Sequence, residues 1–126
     1  MPDTDPHTLP PRQTGVGHVF AAGGYSLGGL TRLWQEAAFR HEVLAFALLL
    51  PVYIAAGARP FEIFLFIGLF LILAAVEALN TAVEDIVNRV SPEWSEMGRD
   101  AKNLGSLAVM FLLLAHGLLL AWVIIT

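Results

Sequence analysis

The sequence predicts an all-α integral membrane protein, in which an N-terminal amphipathic surface helix precedes three transmembrane helices. Composition is the first observation, since 56% of the 126 residues are hydrophobic and only 14% are charged, unlike a soluble domain. The second is that apolar runs over about 43–58, 61–83 and 104–126 alternate with short polar stretches. The second and third runs reach the length of about 20 residues that a helix needs to cross a bilayer, whereas the first is short for it. The chain length fits one domain.

Charge and cysteine content exclude several function classes. The net charge is -4, so no basic surface indicates nucleic-acid binding. Cysteine is absent, which excludes disulfides, thiolate metal sites and cysteine nucleophiles. Residues 1–17 contain four of the seven prolines, and we expect them to form a disordered cytoplasmic tail. No basic segment followed by an apolar run lies near the N-terminus, so no cleaved signal peptide is expected.

The surface helix is expected over about 26–42. Leu30, Leu33 and Trp34 fall on one helical face, while most charged residues of this stretch fall elsewhere. Tryptophan and arginine flanking apolar residues are typical of a helix that lies in the membrane interface. The alternative is a packing helix of the soluble type. The first transmembrane helix follows over about 43–58, and it contains Pro51, which a membrane helix tolerates when neighbouring groups satisfy the freed carbonyl.

The second transmembrane helix, over about 61–83 with a polar extension to about 89, contains the strongest functional signal. Glu77 follows an unbroken apolar run, and a carboxylate at membrane depth costs several kcal/mol unless it has a use. Glu84 lies two turns further on, which suits one carboxylate for proton transfer and another for a metal ion. The polar residues on this helical face are Glu77, Asn80, Thr81, Glu84 and Asn88.

The third transmembrane helix is expected over about 92–126. Ser91 is the predicted N-cap, and Pro92 suits the first helical position. The helix is polar as far as Asn103 and apolar from Leu104 onward, with His116 as the single ionisable side chain of the apolar part. A histidine among leucines is more often packed than catalytic.

Basic residues set the expected orientation. They concentrate before the first span and between the second and third, whereas Arg59 alone lies between the first and second. The positive-inside rule therefore places the N-terminus and the link between the second and third spans in the cytoplasm, and the C-terminus outside. Glu36, Glu84 and Lys102 then share the face where ATP is found. Three helices can hardly shield Glu77 alone, which indicates a homo-oligomer.

Three segments resemble the prokaryotic diacylglycerol kinase family of small trimeric membrane enzymes. They are Glu-Ala-Ala-Phe-Arg-His-Glu at 36–42, Glu-x-x-Asn-Thr-Ala-x-Glu at 77–84 and Ala-Lys-Asn-x-Gly-Ser at 101–106. The resemblance covers about 18–126 and implies a single membrane kinase domain. It also implies a homotrimer with shared active sites in the bacterial inner membrane, with ATP as phosphoryl donor and Mg²⁺ as cofactor.

The resemblance also implies residue roles. Glu77 would be the general base, Glu36 and Glu84 would hold the metal and the nucleotide phosphates, and Asn80 would support them. The further nucleotide contacts would be Tyr25, Glu93, Trp94, Ser95, Lys102 and Asn103. The lipid substrate would be bordered by Ser26, Leu27, Phe39, Arg40, His41, Glu42, Glu77 and Ser106.

The chain departs from the family pattern around the expected phosphate site. Asn103 and Asn88 stand where the family commonly has aspartate, and Gln35 stands where it often has asparagine. Residues 18–21 lack the family's usual arginine and lysine. An amide can still donate and accept hydrogen bonds but carries no charge. These changes are expected to affect phosphate affinity and turnover, but not the fold.

The resemblance favours phosphorylation of the diacylglycerol hydroxyl to give phosphatidic acid in bacterial phospholipid metabolism. Undecaprenol kinase is the alternative within the same class, and a catalytically silent membrane scaffold of the same fold is the alternative outside it. A proton or ion pathway through Glu77 and Glu84 is disfavoured, because the apolar run before Glu77 offers only Glu62 at its far end. In a purely structural interpretation, Glu77 and Glu84 pair with Lys102 or Arg89 and fix the helix register.

Overall fold

The computed structural model of the protein describes Pro11 and residues 14–126, and this part of the chain contains helices and no strand. The helices are α1 (Gly15–Trp34), α2 (Ala37–Ala55), α3 (Pro60–Val90) and α4 (Glu96–Ile125). Of these, α2, α3 and α4 are long and apolar enough to cross a membrane. The all-α membrane fold class is therefore confirmed. The chain divides into two compact units, one ending at Thr31 and one running from Arg32 to Thr126.

The helical structure is interrupted between α1 and α2 at Gln35 and Glu36. This break lies seven residues before the predicted boundary between the surface helix and the first transmembrane helix, at 42/43. The break lies earlier because Arg40 supports it. Its Nη1 donates to the carbonyl of Trp34 at 2.9 Å and to that of Gln35 at 3.3 Å. The guanidinium thereby satisfies carbonyls at the end of α1. Glu36 is extended, with φ -80 and ψ 124.

The predicted tail over 1–17 falls mostly outside the described residues. Its last three residues, from Gly15 onward, already belong to α1. The part of α1 up to Thr31 belongs to the first unit. The side chains of this part are almost all exposed. The observed start of α1 therefore lies well before the expected start of the surface helix at about 26.

Helix α2 continues through Pro51 and ends at Ala55, three residues before the predicted end. The turn into α3 uses Gly57 at φ +78, a left-handed conformation that favours glycine. Pro60 then opens α3, and the carboxylate of Glu62 accepts from the backbone N–H of Arg59 at 3.0 Å. Proline at the first position and a glutamate that reaches back to the N-cap are start signals of a helix.

Helix α3 differs by one residue at each end from the prediction over 61–89. The N-cap of α4 is Ser95 and not Ser91, because Ser95 Oγ accepts from the N–H of Gly98 at 3.0 Å. Ser91 instead caps the C-terminus of α3, with its N–H bonded to the carbonyl of Val87. Its hydroxyl lies 2.7 Å from Ser95 Oγ, which fixes the link between the two helices. Helix α4 therefore begins at Glu96, four residues after the expected start at about 92.

The core lies where α2, α3 and α4 meet. Phe66 of α3 stacks on Tyr53 of α2 at a centroid distance of 4.2 Å, and Val123 of α4 completes the cluster. Helices α3 and α4 pack closely, whereas α2 contacts α3 less extensively. Most large apolar side chains of the three spans remain exposed within one chain. A lipid bilayer or further copies must therefore cover them.

Candidate functional site

A polar cavity of about 340 Å³ lies at the end of the apolar part of α3. It opens among the start of α2, the polar stripe of α3 and the facing turn of α4. Carboxylates dominate its polar lining, with an amide and two hydroxyls beside them, and Ala38, Val109 and Leu113 supply the apolar lining. The polar lining residues are Glu36, Glu42, Glu77, Asn80, Thr81, Glu84 and Ser106. The structure thus brings together, from three helices, the expected base, both expected metal ligands and two expected lipid contacts.

Glu77 is the most enclosed carboxylate of this cavity, at 5% exposure, and Thr81 one turn further on is 6% exposed. Among the described residues Glu77 forms no ion pair. Glu42 lines the same cavity, and its Oε2 is buried without a hydrogen-bond partner among the described residues. A buried carboxylate without a cationic partner costs free energy, so its retention indicates a chemical use.

The structural interpretation of Glu77 and Glu84 does not match these contacts. In the described part of the chain neither glutamate pairs with Lys102 or Arg89. Lys102 Nζ donates instead to Asn88 Oδ1 at 2.8 Å. The two carboxylates are therefore available to a ligand.

Asn80 connects the polar stripe of α3 to α4. Its Nδ2 lies 3.5 Å from Glu84 Oε1, a long hydrogen bond, and its Oδ1 is buried without a partner. Gly105 allows this arrangement, because a Cβ at that position would overlap Asn80 Oδ1. Asn80 Oδ1 therefore faces Gly105 of α4, and the Nδ2 side of the amide is the side directed toward Glu84.

Glu36 lies in the link between α1 and α2 and is held by an arginine. Arg32 Nη1 donates to Glu36 Oε1 at 2.7 Å, and Arg32 Nη2 donates to Asp85 Oδ1 at 2.9 Å. The hydrogen bonds that Arg32 donates to Glu36 and Asp85 raise the pKa of its guanidinium above the ordinary value, so the group stays charged. Arg32 thereby joins the expected metal ligand to the residue that follows Glu84.

The donor set of the cavity fits Mg²⁺ only if a ligand supplies part of the coordination. No three histidine, aspartate or glutamate side chains in the described residues are close enough together to hold a metal ion by themselves. Mg²⁺ in enzymes that act on nucleotides is commonly held by one or two carboxylates, with phosphates and waters completing its shell. Glu36 and Glu84 provide two such carboxylates, and the Asn80 amide lines the same cavity.

A second cavity, of about 300 Å³, lies at the link between α3 and α4. Trp94 projects from this link at 79% exposure, and the Arg99 guanidinium lies 5.9 Å from its ring centroid. The lining includes the expected nucleotide contacts of the link and of α4, whereas Glu36, Asn80 and Glu84 line the first cavity, so these expected nucleotide residues divide between two cavities. The polar and aromatic lining residues are Asn88, Ser91, Glu93, Trp94, Ser95, Arg99, Lys102 and Asn103.

Several expected site residues do not line either cavity. Tyr25, Ser26 and Leu27 belong to the first unit, where all three are exposed and Ser26 Oγ donates to the carbonyl of Ala22 in its own helix. In the second unit Phe39 is buried, and its ring meets that of Trp34 edge to face at 6.2 Å. Arg40 makes the carbonyl contacts described above, and His41 is exposed.

Sequence reasoning missed the contributions of Arg32, Asp85 and Arg99. The spacing of four residues between Arg32 and Glu36 is a helical ion-pair signal that could have indicated the first contact. No local pattern connects Arg32 with Asp85, which is 53 positions away.

Comparisons with known proteins agree with the resemblance. The sequence model of the family described as prokaryotic diacylglycerol kinase matches residues 24–125. A diacylglycerol kinase of Sinorhizobium sp is 54% identical over 114 residues, which cover 90% of this chain and 83% of the relative. A diacylglycerol kinase of Haemophilus influenzae is 37% identical over 108 residues, covering 85% and 92%. A diacylglycerol kinase of Escherichia coli K12 is 36% identical over 98 residues, covering 77% and 80%.

Proposed function

Because the chain belongs to the prokaryotic diacylglycerol kinase family, we propose that it transfers the γ-phosphoryl group of ATP to the hydroxyl of diacylglycerol. The products are phosphatidic acid and ADP, and the reaction serves bacterial phospholipid metabolism. One observation carries the proposal: Glu77, buried and without a cationic partner among the described residues, lies in a carboxylate-lined cavity where an apolar helix becomes polar.

Glu77 acts as the general base. Its carboxylate accepts the proton of the lipid hydroxyl while the hydroxyl oxygen forms a bond to the γ-phosphorus. The bond between that phosphorus and the oxygen bridging to the β-phosphate breaks, and ADP leaves with the electron pair. The position of Glu77 after a long apolar run favours a hydroxyl that remains at the membrane over one in solution. Glu42 lines the same cavity with a carboxylate oxygen that has no partner among the described residues, and this oxygen can accept from the hydroxyl.

Glu36 and Glu84 would hold Mg²⁺, with Asn80 beside them. When bound, Mg²⁺ neutralises the charge of the phosphates. The chain's own residues supply carboxylate oxygens from two elements, the link before α2 and the C-terminal part of α3, and the Asn80 amide lies beside Glu84. These groups fit a cation that arrives with the nucleotide.

The cavity at the link between α3 and α4 receives the nucleotide. Lys102 supplies a cation for phosphate, and the exposed Trp94 offers an aromatic face for the base. Glu93, Ser95 and Asn103 surround them with hydrogen-bonding groups. Tyr25, Ser26 and Leu27 retain the roles that the resemblance implies, in nucleotide and lipid binding.

The protein works in the bacterial inner membrane as a homotrimer with shared active sites. The distribution of basic residues supports a cytoplasmic N-terminus, a cytoplasmic link between α3 and α4 and an external C-terminus. The limited burial within α2, α3 and α4 supports coverage by lipid and by other copies.

The testing experiment is transfer of labelled phosphate from ATP by purified protein in mixed micelles with Mg²⁺. Diacylglycerol and undecaprenol are offered in separate reactions. We expect labelled phosphatidic acid from the first and no product from the second. Transfer to undecaprenol alone would replace the proposed substrate. Transfer to neither lipid, by protein that stays folded in detergent, would contradict the catalytic proposal and favour a silent scaffold.

A further inference from the structure

Glu36 occupies a position where the backbone does little to fix its side chain. It lies between the end of α1 and the start of α2, in extended conformation, and its side chain makes no capping hydrogen bond. A glutamate in such a link loses side-chain entropy when it binds a cation, unless another group already restricts it. The contact that restricts Glu36 is the hydrogen bond from Arg32 at 2.7 Å.

Arg32 is itself restrained by α3. One guanidinium nitrogen donates to Glu36 and another to Asp85, so a single planar group spans two carboxylates from distant parts of the chain. Arginine suits this role, because its donors diverge in a fixed geometry, whereas lysine offers one point of charge. Asp85 directly follows Glu84 on α3. The bridge therefore connects Glu36 to the helical turn that carries Glu84.

We propose that Arg32 is a positioning residue that holds the Glu36 carboxylate against the Glu84–Asp85 segment of α3, with Asp85 as its anchor. This inference rests on the proposed function, in which Glu36 and Glu84 together receive a divalent cation and the phosphates of a nucleotide. Arg32 sets the position of one carboxylate relative to the other before either ligand arrives. It leaves Glu36 Oε2 free for coordination.

The two ion pairs of Arg32 contribute little to the free energy of folding. Arg32 and Asp85 are both partly exposed, with side-chain exposures of 40% and 50%. Ion pairs at such positions add little to folding free energy because water screens them. Preorganisation of a ligand, in contrast, depends on geometry, and loss of the groups that orient metal ligands typically weakens metal affinity by about 10- to 100-fold.

The first test measures binding without turnover. Mn²⁺ replaces Mg²⁺ as a paramagnetic probe, and its binding is titrated by electron paramagnetic resonance in the presence of a non-hydrolysable ATP analogue. We expect Arg32→Ala and Asp85→Ala each to weaken Mn²⁺ affinity by about tenfold. The double variant should be no weaker than the worse single variant, since both substitutions break one bridge. Unchanged Mn²⁺ binding in Arg32→Ala would overturn the proposal. Tighter binding would also overturn it, because it would show that the arginine competes with the cation.

Two further variants separate position from charge. Arg89→Ala removes a positive charge from the end of α3, where the arginine is exposed and makes no ion pair among the described residues, and it should keep wild-type affinity. Arg32→Lys keeps the charge but cannot hold both carboxylates in the same geometry, so it should recover only part of the affinity. Full recovery by lysine, or an equal loss in Arg89→Ala, would show that charge alone matters and would overturn the proposal.

Turnover provides the second measurement. In Arg32→Ala the KM for Mg²⁺-ATP should rise about tenfold, with a smaller change in kcat and an unchanged thermal midpoint. A parallel loss of kcat and thermal stability, with KM unchanged, would assign Arg32 a merely structural role. If the wild type transfers no phosphate but its Mn²⁺ affinity still depends on Arg32, the proposed function is wrong and the positioning role of Arg32 is supported. If the wild type does not bind Mn²⁺ in the presence of the ATP analogue, both the proposed function and the positioning role of Arg32 are wrong.

Discussion

Gly105 of α4 lies against the amide of Asn80 on α3 so closely that a Cβ at position 105 would overlap Asn80 Oδ1. This contact lets the two helices approach each other beside the cavity, and it keeps the Asn80 side chain next to Glu84. Small residues commonly permit such approaches between membrane helices. The glycine is therefore part of what shapes the candidate active site.

Substitution of Gly105 by alanine should disturb both packing and activity. Alanine in place of a helical glycine usually stabilises by about 0.5–1 kcal/mol, but overlap with a packed neighbour typically costs about 1–3 kcal/mol. We expect Gly105→Ala to lower the thermal midpoint and to reduce phosphate transfer. The matched control is Gly117→Ala on the same helix, where an added Cβ meets nothing within 4 Å. Equal behaviour of the two variants would contradict the assigned contact.

Replacement of Glu77 by glutamine should remove the base while keeping the shape of the side chain. Loss of a general base typically lowers kcat by about 10²- to 10⁴-fold. Binding of the nucleotide, measured by isothermal titration calorimetry, should change little. Glu62→Gln is the control, because Glu62 is equally buried on the same helix but lines a cavity that contains none of the proposed catalytic groups. Wild-type kcat in Glu77→Gln would refute the role of the base.

Removal of the proposed metal ligands should change the metal requirement. We expect Glu36→Ala and Glu84→Ala to raise the Mg²⁺ concentration that gives half-maximal activity by at least about tenfold, because each loses one carboxylate ligand. Activity is measured across a Mg²⁺ titration at saturating lipid. Glu62→Gln, which removes a carboxylate near the start of α3 that lines neither cavity, serves as the control. Wild-type metal dependence in both glutamate variants would show that the ligands lie elsewhere.

Removal of the Lys102 ammonium should weaken the affinity for ATP with a smaller effect on the chemical step. Lys102→Ala is expected to raise the KM for ATP by about tenfold, since a charged contact to phosphate contributes roughly 1.5–3 kcal/mol. Lys102→Arg, which keeps a donor toward phosphate, should retain much of the affinity. The initial rate is followed over a range of ATP concentrations. A KM that stays at the wild-type value would exclude Lys102 from the nucleotide site.

Arg40 offers a test of two different roles. Its hydrogen bonds to the carbonyls of Trp34 and Gln35 predict that Arg40→Ala lowers stability by about 1 kcal/mol, because these groups lose a donor. The resemblance instead implies a lipid contact, which predicts a higher KM for diacylglycerol. We expect a lower thermal midpoint with lipid KM unchanged. A raised lipid KM at wild-type stability would support the lipid role.

The sequence by itself determined the membrane class, the extent of α3 and the polar stripe around Glu77. These features are local, because an apolar run of sufficient length and a period of 3.6 residues can be read within a single segment. The motifs around Glu36, Glu77 and Lys102 were also contiguous. They therefore identified the family without any knowledge of the packing.

Only the tertiary structure decided how these segments meet. At the break before α2, Arg40 donates to the last carbonyls of α1, and at the start of α4 the N-cap is Ser95, whose Oγ accepts from the N–H of Gly98. The division of the expected nucleotide residues between two cavities, the bridge through Arg32 and the fit of Asn80 against Gly105 join residues that lie far apart in the chain. Such contacts depend on where distant side chains come to rest, and helical periodicity carries no information about that.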